Sequence, residues 1–259
     1  MRLNTYFKYW LKTSQLTLQS LIATRLASSM FLIGKFIRFF FFLWFLFILK
    51  GRLEKIVGYS LDQLIIFFLI YNLFDLFGQF FYRGIYWFRN EIISGAFDFK
   101  LVKPISPLFQ VLTKHTDFLD IPLLIVVIVA LIFRLPTIPL TQTLSFALLS
   151  LAAILLITAI HIIVASIGII TTEVDHTIWI FRDLAAMGRV PIDIYAEFIR
   201  TFLTFIIPIA LIFTFPAKAI FGLLSPLTII LTLTASLLVY LLSLLFWRYA
   251  LTQYSSASS

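Results

Sequence analysis

Runs of about twenty apolar residues decide what this chain can become. They fall roughly at 30–49, 61–81, 144–170 and 227–247, with shorter runs at 118–133 and 201–215. Twenty residues of α-helix are about 30 Å long, the thickness of a bilayer's hydrocarbon core. In lipid the backbone N–H and C=O groups find no water, so each segment must bond them internally as helix. The reading is an all-α, polytopic membrane protein with six transmembrane helices, one domain over 1–259. Charge agrees: 12% of residues are charged, where a soluble domain carries about 25%.

Polar residues inside those runs are the first candidates for function. The first run is apolar only over FFFFLWFLF, about 14 Å of helix, so Lys35 and Arg38 must lie within the span or snorkel from its inner leaflet. In the second, Asn72, Asp75 and Gln79 recur at three and four residues and form one stripe. An unpaired carboxylate there costs about 2.5–3.5 kcal/mol. The first two spans run in opposite directions, which brings Asp75 to the depth of Lys35 and Arg38 and predicts a pairing among them. His161, alone in the fourth span, reads as a hydrogen-bonded helix contact.

Between the spans lie two polar insertions. The longer, 82–117, sets Arg83, Arg89, Lys100 and Lys103 among Tyr82, Tyr86, Trp87 and Phe88. Its segment 89–99 can form a short amphipathic helix, with Glu91 and Asp98 on one face and Pro104 ending it. Such a loop fits a solvated connection with headgroup-level aromatics, or a contact for a soluble motor. The second, 173–200, is expected to be cytoplasmic, followed by the fifth span at 201–215. Gly188, Pro191 and Pro208 leave another arrangement open, a hairpin dipping into the outer leaflet after a short span at 178–187; Arg182 and Asp183 inside that span argue against it.

Ahead of the first span, Tyr6, Phe7, Trp10 and Leu11 at helical spacing, beside Lys8 and Lys12, predict an interfacial helix over 1–25. No cleaved leader is expected there. Lys50, Arg52, Glu54 and Lys55 read as a short outer loop, and Arg134, Pro136 and Pro139 as a tight outer turn. Thirteen Lys and Arg, from Arg2 to Arg248, then fall on the side of both termini and five on the other. By the positive-inside rule the termini are cytoplasmic.

Catalytic chemistry is not visible. The chain has no cysteine, its three histidines are isolated from one another, and no HExxH or GxSxG occurs. Only Gly34 precedes a lysine, and Phe36 stands where a nucleotide-binding loop needs Ser or Thr. The net charge of +8 is scattered over loops with no basic run, so nucleic acid is not an expected partner.

Three stretches carry a family resemblance. Residues 91–106, EIISGAFDFKLVKPIS, resemble the first signature of bacterial ABC-2-type permeases. Pro191–Tyr195, Arg200–Pro208 and Phe215–Ala217 are similar to the second, and 247–258 resemble the C-terminal one, with Gln253 for the usual histidine and Ala257 for the usual glycine. The resemblance implies a type V exporter-like transmembrane domain in the bacterial inner membrane. It implies a permease subunit of an ATP-binding cassette exporter, working as a homo- or heterodimer with a separate ATPase. That subunit would hold ATP and Mg; this chain would bind no cofactor and be no enzyme. The loop after the second span would carry the coupling helix, with Arg89, Glu91, Gly95, Asp98 and Lys100 as docking residues. Lys35, Arg38, Asn72, Asp75 and Gln79 are pathway candidates. Two other readings remain: an ion-coupled transporter using Asp75, His161 and Lys35, and a non-transporting scaffold. Phe-rich spans suit a lipid-like cargo and ordinary lipid-facing packing equally.

Overall fold

The computed structural model describes residues 3–135 and 138–255. Arg2, Pro136 and residues 256–258 of the C-terminal signature lie outside the described residues. The described chain is helical: α1 (Leu3–Ala23), α2 (Arg25–Val57), α3 (Leu61–Tyr82), α4 (Phe88–Ile93), α5 (Asp98–Leu101), α6 (Pro107–Leu112), α7 (Ile121–Arg134), α8 (Leu140–Thr171), α9 (Val174–Ala186), α10 (Glu197–Thr201), α11 (Phe215–Ile220) and α12 (Pro226–Thr252). Among the described residues, four helices are long and apolar enough to cross a membrane: Arg25–Ile48, Leu61–Ile93, Leu140–Thr171 and Pro226–Thr252.

α3 is the axis. Ser60 caps it in a reciprocal box with Gln63, and Leu64 through Tyr71 are all buried. α2, by contrast, turns six of its nine aromatic side chains outward, among them Phe31, Phe40, Phe41, Trp44 and Phe47. Gly51 does not interrupt the helix, and α2 runs on to Val57 through the expected outer loop and stops at Gly58, whose φ of +72° makes a left-handed helix end. The outer turn after α7 is tied by Arg134, whose guanidinium donates to Asp62 at 2.5 Å. With only 14 residues, α7 is about 21 Å long.

Two expectations fail in the second half of the chain. The run 201–215 is no continuous span. The segments Glu197–Ile206 and Ala210–Ile220 meet at 85° around Pro208, and π-helical turns flank the break at Phe202–Ile206 and Ala210–Thr214. Nor is 173–200 a loop at one end of the bundle. α9 climbs antiparallel to α3: Trp179 packs on Tyr86, Arg182 reaches Asp75, Arg189 lies over the Tyr71 ring, and Asp193 accepts a hydrogen bond from Tyr59, just ahead of α3. Arg182 does not bar this path, because Asp75 supplies its countercharge.

The bent pair therefore hangs from the end of the bundle where α3 begins, here the upper end. Lys218 returns to Asp193 at 2.9 Å, and Phe221 packs on Phe67. Its tip, Phe205–Pro208, lines a groove shared with Ile163 and Ile180. At the lower end α1 crosses beneath the bundle, with Ser14 bonded to Thr116, Tyr6 to the Ser106 N–H, and Trp10 stacked on Phe81.

Candidate functional site

The lower end is built around the loop between α3 and α7. After α3 the chain tightens into a 3-10 turn, Arg83–Trp87. There Gly84 lies against the backbone of α6; a Cβ at that position would stand 2.5 Å from the Val111 carbonyl. α4 ends at Gly95, whose φ of +71° reverses the chain. The Phe97 N–H closes the turn on the Glu91 carbonyl. Beneath it, Ile85, Phe88, Ile92 and Phe97 pack with α8, α9 and Trp247 of α12.

Charge is folded into this loop rather than displayed on it. Glu91 is buried between Lys100, at 2.5 Å, and Lys114. Gln110 fixes the neighbouring backbone by donating to the carbonyls of Lys100 and Ile105. Burial lowers the Lys100 ammonium against the opposing pull of Glu91. His115, packed on Trp87, is pushed down to about 4 by burial and by Lys114, and so is neutral at pH 7. Asp98 accepts a hydrogen bond from Tyr254 at 2.8 Å, and Tyr254 meets Phe97 edge-on, which clamps the loop to the end of α12.

The single helix expected over 89–99 is thus two short helices around a glycine turn, and Glu91 and Asp98 do not share a face. Glu91 and Lys100 lie inside, and Gly95 turns the chain at positive φ, where within the chain an added Cβ would find nothing nearer than Asp98 at 3.8 Å. Arg89 is at the surface, 3.9 Å from Asp175. Beside exposed polar residues such as Asn90 and Ser94, the loop turns four apolar ones outward, Ile93, Phe99, Leu101 and Val102, with Lys103 next to them. Sequence reasoning passed over these because it weighed charges, and an apolar residue in a polar loop was the signal available.

The second constellation is a cleft of 540 Å³ between α2, α3 and α9, lined by Lys35, Arg38, Asp75, Gln79, Arg83, Asp120 and Arg182. A smaller one of 170 Å³ adjoins it and adds Asn72 and Arg189. All five pathway candidates are therefore brought together, but the predicted pairing is not made. Asp75 binds Arg182 at 2.6 Å. Lys35 binds Asp120 at 2.6 Å and Asp117 at 3.1 Å. The carboxylates that neutralise Lys35 come from the 3-10 turn leading into α7, which touches both α2 and α3, and Arg182 of α9 reaches Asp75 first. Gln79 accepts from Arg83, which also lies over the Tyr86 ring, and Asn72 donates to its own helix at the Phe68 carbonyl. His161 is a buried helix contact, bonded at Nδ1 to the Ile157 carbonyl. Asp75, His161 and Lys35 are each engaged with a different partner.

A third feature is an apolar groove of 680 Å³ between α8, α9, α12 and the hairpin tip, lined by Ile160, Phe181, Phe205, Pro208 and Leu231 among others.

No curated protein and no solved structure matches this chain. A family model described as "ABC-2 family transporter protein" matches residues 35–258, which takes in the lower loop, the polar cleft and the bent pair. The chain belongs to that family.

Proposed function

We propose that this ABC-2 family transporter protein is the permease subunit of an ATP-binding cassette exporter in a bacterial inner membrane. It works with a second permease, identical or paralogous, and a separate ATPase subunit that holds ATP and Mg. The lower end faces the cytoplasm, α1 lies in the interface beneath the bundle, and both termini are cytoplasmic. The chain crosses six times, with α9 and the turns after it as the fifth crossing and the bent pair as a re-entrant hairpin in the outer leaflet. The observation that carries the reading is the lower loop: a rigid, internally ion-paired element clamped to α12 that leaves one apolar rim outward. Nucleotide-driven motion of the ATPase would push on that rim, and the rigid loop would hand the push to α3 and α12 together.

Docking then belongs to Ile93, Phe99 and Val102, with Arg89 and Lys103 at the edge; Glu91, Lys100 and Asp98 shape the loop from within. The test is co-purification of the full chain with the ABC ATPase encoded beside it. Phe99→Glu with Val102→Glu is expected to abolish association while leaving thermal unfolding in detergent within about 0.5 kcal/mol of the parent. Undiminished association would remove the rim from the interface. An ATPase rate indifferent to the chain would favour the scaffold instead.

A further inference from the structure

The paired charges of the polar cleft leave a remainder. Lys35, Arg83, Asp117 and Asp120 answer one another, as do Arg182 and Asp75. Arg38 lines both clefts and has no ion-pair partner among the described residues. It stands about 20 Å along α2 from Arg25, at 1.5 Å per residue, one turn past Lys35 and followed by the apolar run from Phe39 to Leu49. An uncompensated guanidinium at such depth costs about 2.5–3.5 kcal/mol, and ionisable groups so placed serve a pathway or a ligand. Arg189, held over the Tyr71 ring, joins Lys35 and Arg38 as a third cation on the smaller cleft.

Room and apolar surface lie beside this charge. Gly34, on the cleft's α2 wall, leaves open space where a side chain would begin, with nothing within 4 Å of an added Cβ. Phe31 borders the larger cleft, and Phe41 and Phe42 the smaller. Phe41 and Trp44 continue outward as an exposed aromatic pair with ring centroids 5.8 Å apart. A basic head site opening onto an aromatic wall fits one chemistry.

We propose that the cleft between α2, α3 and α9 is the cargo site, and that its cargo is an anionic amphiphile: one acidic head, of the phosphate or carboxylate class, held by Arg38, with an apolar chain along Phe41 and Trp44. The proposal rests on the exporter reading and names its substrate class. Planar guanidinium suits either head through paired N–H donors.

The full chain in phosphatidylcholine nanodiscs is tested for binding of radiolabelled dodecyl phosphate. Arg38→Gln is expected to weaken binding at least about tenfold, the scale of one lost charge-assisted contact, and Arg38→Lys to recover part of it. Gly34→Leu, which fills the space and leaves the charge, is expected to weaken binding as well. Lys12→Gln, on exposed α1, is the matched loss of charge elsewhere and is expected to leave binding unchanged. Equal binding of dodecyl trimethylammonium, or a neutral effect of Arg38→Gln, overturns the proposal. Displacement by inorganic phosphate alone overturns the amphiphile, and displacement by phosphatidylglycerol at equal concentration assigns the cleft to bulk lipid and overturns the cargo. Because nanodisc binding needs no ATPase, its failure leaves the exporter reading standing, and loss of ATPase association would sink that reading without altering these affinities.

Discussion

The lower loop and the upper hairpin both interrupt helices with glycine, proline and short turns, yet they hold together by different forces. The loop is cross-linked by side chains: Glu91 with two lysines, Gln110 with two carbonyls, Tyr254 with Asp98. The hairpin keeps its charges at its mouth, where Asp193 meets Lys218 and Tyr59. Each arm carries a π-helical turn, the first with Thr204 donating to the Arg200 carbonyl of the same arm, and packing of Leu203, Ile209 and Phe213 into the core holds them. Directional, charged contacts allow one geometry and resist any other. Apolar packing around widened helical turns tolerates rearrangement. The molecule is thus stiff at the lower loop and pliant at the hairpin.

The largest test of that contrast is Glu91→Ala. It leaves Lys100 buried without its carboxylate, and removing one member of a buried pair costs about 3–5 kcal/mol. Denaturant unfolding in detergent should show the loss, and Glu91→Met with Lys100→Met should regain most of it, because Lys114 is exposed enough to turn to water. A loss under about 1 kcal/mol would mean that the loop is packed rather than charge-locked.

A matched pair of glycines sharpens the comparison at intermediate size. At Gly84 an added Cβ meets backbone, the Val111 carbonyl at 2.5 Å. At Gly188 it meets the Phe213 ring at the same distance, with Ile209 Cγ2 at 3.3 Å, both side chains of the hairpin. Overpacking costs about 1–3 kcal/mol, and backbone cannot step aside as a ring can. Gly84→Ala is expected at the upper end of that range and Gly188→Ala at the lower. Equal losses would erase the distinction between the stiff and the pliant region.

How much of this was legible beforehand follows the same line. The four long spans announce themselves, because twenty apolar residues have few alternatives. The stripe Asn72–Asp75–Gln79 was visible from spacing, and so was its meeting with Lys35 and Arg38 at one depth. The partners were not: ion pairs at |i−j| of 82, 85 and 107 depend on which helix stands next to which, and periodicity is silent about that. Arg182 illustrates the cost. Counted as a charge it argued against a helix beside α3, whereas paired with Asp75 it is what attaches that helix. Glu91 and Asp98 illustrate the converse. Seven residues apart, they share a face only if the helix is unbroken, and Gly95 at positive φ breaks it.

The smallest effect is one of pH, and it belongs to the loop. His115 is held near 4 in the fold, below its ordinary 6.5, chiefly by burial against Trp87 and then by Lys114, with Glu91 pulling the other way. Between those values the unfolded chain carries a proton that the folded one refuses, so stability rises with pH across the window. It is complete above about 6.5 and declines as pH falls toward 4. Since His115 is partly solvated, the slope should stay well under the limit of about 1.4 kcal/mol per pH unit set by one proton. Thermal unfolding in detergent from pH 7 to 4.5 should show this decline in the parent and a flatter profile in His115→Gln. An unchanged slope in the variant would place the titrating group elsewhere. A decline accompanied by release of the ATPase would mean instead that the rim depends on the interior of the loop, and would tie the stiffness argued here to docking itself.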